Sequence, residues 1–210
     1  MPMFTHMVTQ MSWNQLLHLG DLSLTIPAGS AIAAWLLAAR AWRPAAGWML
    51  AFGLALGLVA ATKIAFMGWA TGVPALQFKA VSGHATGFAA VFPTLCYLAA
   101  PRRAPGARAL MAGAALVLAA LVAAALVHAG EHTLAEALAG WLLGTGVFLS
   151  TVWFTGGEPA PPAGRAMACA AFAFVAAAWI LRSAPLNYWM IKVALVLSGN
   201  RVPVPWDHCG

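Results

Sequence analysis

The chain has 210 residues, 62% of them hydrophobic and only 8% charged, with a mean hydropathy of +0.83 and a formal net charge of +6. A soluble domain carries about 25% charged residues, so this chain could not cover its own surface in water, and disorder is excluded because disordered chains are poor in apolar residues. Three cysteines, with Cys96 and Cys169 inside apolar runs, exclude a disulfide scaffold. The basic residues are scattered at the ends of apolar runs, which is the pattern of membrane topology signals and not of a nucleic-acid footprint.

A span needs about 20 apolar residues to cross roughly 30 Å of hydrocarbon. After an amphipathic entry at residues 12–19, six such runs follow, at about 23–42, 46–67, 83–100, 107–127, 132–154 and 165–182. The expected fold is therefore all-α, a polytopic membrane bundle of six transmembrane helices. The N-terminus lacks a basic n-region and an evident cleavage pattern, so no secretory signal peptide is expected. Pro27 sits near the start of the first run, where a missing N–H is tolerated, and Pro93 should kink the third or free a carbonyl for a neighbour. A seventh stretch, 188–197, is short and holds Lys192; it reads as a helix on the membrane surface or packed against the bundle. No repeat or long linker divides the chain, which is expected to form one domain over 1–210, with its core at 12–182 and a tail at 183–210.

Alternation of the spans puts Arg40, Arg43, Arg102, Arg103, Arg108 and Arg165 on one side and Lys63, Lys79, Arg182, Lys192 and Arg201 on the other. By the positive-inside rule the first side is cytoplasmic. Both termini then face outward, which for a bacterial inner-membrane protein means the periplasm.

The polar residues gather on that outer side. Lys63 lies near the end of the second run; Lys79, Ser82 and His84 flank the start of the third; His128, Glu131, His132 and Glu136 join the fourth and fifth. Ionisable groups at membrane depth are costly and are functional candidates by default. Ser82-Gly83-His84 opens a helix after a loop, where free N–H groups and the dipole suit a phosphate, a hydroxyl adds a donor and a histidine can protonate a leaving oxygen. His132 and Glu136, four apart, share a helix face, and a carboxylate on one ring nitrogen leaves the other free as a nucleophile or base. His128-Ala129-Gly130-Glu131-His132 also fits the His-x-x-Glu-His zinc pattern, and Asp207-His208-Cys209 reads as a polar chain end.

Together Lys63, Ser82-Gly83-His84 and His132-x3-Glu136 resemble, in order and spacing, the three motifs of the type-2 phosphatidic acid phosphatase family, which includes the vanadium haloperoxidases. The resemblance spans about 12–182. It departs at Ala70 and Thr71, where the first motif has Arg-Pro, at Val81, where the second has Pro, at Ala125 and Leu126, where the third has Ser-Arg, and at Glu136, where the third has Asp. Loss of two arginines weakens the anion clamp, with Lys79 and His128 as candidate substitutes. The resemblance implies a membrane lipid phosphate phosphatase with no metal or cofactor and no nucleic-acid partner. His132 would be the nucleophile and Glu136 its orienting carboxylate. His84 would be the acid, and Lys63, Lys79, Ser82, Gly83 and His128 would bind phosphate. In-line transfer requires the two histidines to lie on the order of 5–7 Å apart. A lipid-phosphate-binding or transport protein that keeps the bundle without turnover is the alternative.

Overall fold

The computed structural model describes residues 20–100, 105–156, 163–183 and 185–206. The expected amphipathic entry at 12–19, Arg102, Arg103 and Asp207-His208-Cys209 lie outside them. Among the described residues seven α-helices follow in order: α1 Leu22–Ala38, α2 Trp42–Trp69, α3 Gly83–Ala99, α4 Pro105–His128, α5 Leu134–Thr155, α6 Ala163–Arg182 and α7 Leu186–Ser198, with a 3-10 turn at Pro74–Leu76. Among the described residues the extended structure is a single antiparallel bridge between Val73 and Phe78. The fold is an all-α membrane bundle: in hydrocarbon the backbone polar groups must be satisfied by the protein itself, which a helix does within its own segment.

Four of these helices, α2, α4, α5 and α6, are long and apolar enough to cross a bilayer. α1 and α3 have 17 residues each, or about 26 Å at 1.5 Å per residue, at the lower end of spanning lengths. The count of six spans is thus met by four helices outright and approximately by two. Large apolar side chains point outward along the bundle, with Trp153, Phe172 and Trp179 exposed by 83%, 76% and 74%. In water such a surface would drive aggregation; in a bilayer it is the lipid-facing wall.

Pro27 lies more than a turn inside α1, which begins at Leu22, and Pro93 lies inside α3; both helices continue through them. Both prolines are buried in the bundle, where neighbouring helices shield the interruption. The interior is built from small residues with a few large plugs. Trp48 stacks on Phe52 and donates through Nε1 to the Gly29 carbonyl at 2.9 Å.

α3 packs tightly against α5. A Cβ on Gly140 would fall 2.5 Å from the Ser82 carbonyl oxygen, and one on Gly144 would fall 2.3 Å from that of Thr86. Small residues at such positions let membrane helices approach backbone to backbone. α6 packs mainly on α1, and α7 packs along the end of α2, so the seventh apolar stretch belongs to the bundle. The segment after α7 returns over the C-terminal end of α2. Asn200 Nδ2 donates to the Gly68 carbonyl at 2.6 Å, Val204 N to that of Met67 at 2.8 Å, and Trp206 stacks on Phe66. These bonds satisfy carbonyls that a helix end leaves without partners.

The α3–α5 seam yields a paired prediction. Gly144→Ala should destabilise the protein by about 1–3 kcal/mol, because overpacking here pushes on backbone. Gly146→Ala, on the same helix but with open space around its Cβ, should be neutral or stabilising by up to about 1 kcal/mol. Thermal unfolding in detergent micelles reads both.

Candidate active site

The site is assembled at one end of the bundle, where α1, α3 and α5 start and α2 and α4 end. Thr133 is the N-cap of α5: its Oγ1 accepts from the Glu136 N–H at 3.3 Å, and Glu136 Oε2 accepts in return from the Thr133 N–H at 3.2 Å. This capping box fixes the Glu136 side chain at the first turn. The same carboxylate takes two more bonds. Oε2 lies 3.0 Å from His132 Nδ1, and Oε1 accepts from the Lys79 main-chain N–H at 2.9 Å. The Glu136 carbonyl accepts from the Ser82 N–H at 3.2 Å. One buried acid therefore orients His132 and ties the loop before α3 to the start of α5. With Nδ1 engaged by the carboxylate, Nε2 is the ring nitrogen left for chemistry.

His84 is the second residue of α3, after the N-cap Ser82. Its ring lies 6.1 Å from that of His132, centroid to centroid, with the planes tilted by 58°, within the separation expected for two groups that share one phosphoryl group. Ser82 is fully buried and its hydroxyl accepts from the Ala85 N–H, so the structure gives it a capping role. Gly83 and His84, at the positive end of the α3 dipole, keep their N–H groups outside the helical ladder. Thr62 Oγ1 accepts from the Val81 N–H at 3.2 Å, which brings α2 alongside. Lys63 follows in sequence and lines a chamber of about 410 Å3 with Gly83, His84 and the α6–α7 turn at Leu181 and Pro185 to Asn187.

Two expected phosphate ligands stand elsewhere. The Lys79 ammonium donates to the Trp206 main-chain carbonyl, while its main chain serves Glu136. His128 is exposed at the last turn of α4, where a cation suits the helix dipole. The missing arginine positions are occupied structurally: Ala70 is the left-handed C-cap of α2, at φ 52°, and Leu126 is buried, at 1% exposure, in a cluster with Ala85, Ala123 and Ala137. Among the described residues the chamber lining holds no arginine. The His-x-x-Glu-His reading needs both histidines on one helix; α4 stops at His128 and the chain turns at Gly130, φ 75°.

Asp21 was not singled out by its motif context. Its Oδ1 lies 2.7 Å from His84 Nε2. The available signal was scarcity: it is one of five acids in the chain and directly precedes an apolar run.

The three bonds to Glu136 generate a prediction. A glutamine there has one accepting oxygen, so Glu136→Gln leaves an N–H donor facing an amide N–H. Unfolding in detergent should show a loss of about 2 kcal/mol, whereas Glu131→Gln, at an exposed position, should change little.

The chain is 33% identical over 137 residues to an uncharacterized 22.5 kDa protein in the cps region of Klebsiella pneumoniae, covering 64% of this chain and 65% of that protein. It thus spans just under two thirds of that relative's length. No solved structure matches. Residues 64–160, which begin one position after Lys63 and include both histidines and Glu136, match the PAP2 superfamily.

Proposed function

We propose that the protein is an integral membrane phosphatase that hydrolyses a phosphomonoester or pyrophosphate of a lipid through a phosphohistidine on His132, with its site open to the periplasmic side of a bacterial inner membrane. The match to the PAP2 superfamily supports a phosphatase-like enzyme in general. The observation that carries the finer reading is the 6.1 Å separation of two histidine rings, one backed by a buried carboxylate.

In this reading Nε2 of His132 attacks phosphorus while Glu136 stabilises the charge that develops on the ring. His84 protonates the departing oxygen. Lys63 and the free N–H groups at the start of α3 hold the phosphoryl oxygens, which gain charge in the transition state. Water then attacks the phosphohistidine. The outward-facing apolar walls keep the reacting end at the depth of lipid head groups, which favours a lipid over a soluble ester.

One observation favours a second reading, a lipid-phosphate-binding or transport protein. Leu126 is packed into the core where the superfamily motif has an arginine, so that part of the anion clamp is absent.

Phosphate release in mixed micelles from phosphatidate, phosphatidylglycerol phosphate, undecaprenyl pyrophosphate and lipid A separates the two. The phosphatase reading predicts release from at least one lipid, abolished in His132→Ala and reduced about 10²–10³-fold in Lys63→Ala. Binding of these lipids with no release by the unmutated protein would favour the second reading. Reporter fusions should place the C-terminus in the periplasm; a cytoplasmic C-terminus would overturn the orientation.

A further inference from the structure

We propose that Asp21 is a positioning residue for the proton donor of this site: its carboxylate holds His84 by Nε2–H, so that Nδ1 is the nitrogen that gives and takes the transferred proton. The inference rests on the phosphatase reading for its chemistry and on three independent features of the structure for its geometry. The first is the bond itself, 2.7 Å between Asp21 Oδ1 and His84 Nε2, joining residues 63 apart in sequence. The second is where the carboxylate does not go. Asp21 is the N-cap of α1, and its carbonyl accepts from the Leu24 and Thr25 N–H groups, yet its side chain makes no capping bond. An aspartate at this position ordinarily stabilises its own helix by about 1 kcal/mol through such a bond; here the carboxylate reaches across to α3. The third is the packing that permits it. A Cβ on Gly20 would come within 3.0 Å of the His84 Cβ and carbonyl oxygen, so the chain entering α1 lies directly against His84. Asp21 and His84 are exposed to the same extent, 34% each, and line the same chamber as Lys63.

The arrangement mirrors the one across the site. His132 is held by Nδ1 and presents Nε2; His84 is held by Nε2 and presents Nδ1. A carboxylate bonded to one ring nitrogen selects the tautomer and the ring orientation. In the first step the bond from phosphorus to the leaving oxygen breaks as the His132 Nε2–P bond forms. The Nδ1 proton of the doubly protonated His84 passes to that oxygen, leaving a neutral ring whose remaining proton stays on Nε2 against Asp21. In the second step Nδ1 takes a proton from the attacking water as the O–P bond forms and the N–P bond breaks.

The test compares Asp21→Asn with the unmutated protein on two substrates in detergent. Phosphatidate has an alkoxide leaving group that needs a proton; p-nitrophenyl phosphate has one that departs without it. General acid catalysis contributes about 10²–10⁴-fold. The expected result is a fall in kcat on phosphatidate at least tenfold larger than the fall in the p-nitrophenolate burst, with partial recovery in Asp21→Glu. Equal losses on both substrates, or no loss on either, would overturn the proposal. A second readout needs no turnover: in 15N-histidine spectra, with the His84 signals assigned by His84→Gln, the neutral His84 ring should be the Nε2–H tautomer and should become mixed in Asp21→Asn. A neutral ring in the Nδ1–H form would overturn the pairing. Absence of release by the unmutated protein on both substrates would overturn the phosphatase reading and the proton-transfer role with it, while leaving the tautomer result to judge the pairing by itself.

Discussion

The close approach of α3 to α5 is the constraint on which the site depends. His84 lies in the first turn of α3, and His132 precedes the N-cap of α5, where the first-turn Glu136 holds its ring. They meet because Gly140 and Gly144 let the α5 backbone rest on the Ser82 and Thr86 carbonyls. Glu136 completes the seam with bonds in three directions: to the His132 ring, to the capping residue Thr133, and to the main chain of Lys79. A buried carboxylate is expensive unless its lone pairs are filled. Here the filling groups are the segments that must be aligned for chemistry, so the requirement to satisfy Glu136 is also the requirement that aligns the site.

The membrane divides the remaining work. Lipid-facing walls of leucine, phenylalanine and tryptophan need only be apolar, and α6 meets this with almost no burial of its own. The residues proposed for chemistry gather at one end, where alternating helices bring helix starts and helix ends together. That end is reinforced by the returning C-terminal segment, in which Asn200, Val204 and Trp206 cover the last carbonyls and rings of α2. Lys79 is drawn into this reinforcement by its ammonium group and into the site by its main chain, so one residue links the two.

Features encoded locally were legible in the sequence. The helix start at Ser82-Gly83-His84 and the apolar runs follow from backbone periodicity, and their geometry matches; the contact of His132 with Glu136 forms as expected, but across the N-cap Thr133 and not along one helix face, because α5 starts only at Leu134. Helix limits were less legible: α1 starts at Leu22 and runs through Pro27, since packing against neighbours outweighs the local signal. Illegible were the features that depend on contacts far apart in sequence. Nothing in the residues around Asp21 announces a partner 63 positions away. Nor do the residues around Lys79 and His128 announce their surroundings: the ammonium of Lys79 donates to the Trp206 carbonyl, and His128 is exposed in the last turn of α4. Leu126 shows the same limit from the other side, since only its packing against Ala85 and Ala137 reveals that the position now serves the core.

The account turns on His132 as the group that bonds to phosphorus. The most direct measurement is mass spectrometry of the protein quenched in alkali during turnover of a lipid phosphate, conditions under which phosphohistidine survives. The mechanism predicts a phosphoryl group on His132, absent from His132→Ala. Turnover with no phosphoryl group on His132 at any quench time, or with one on another residue, would contradict it.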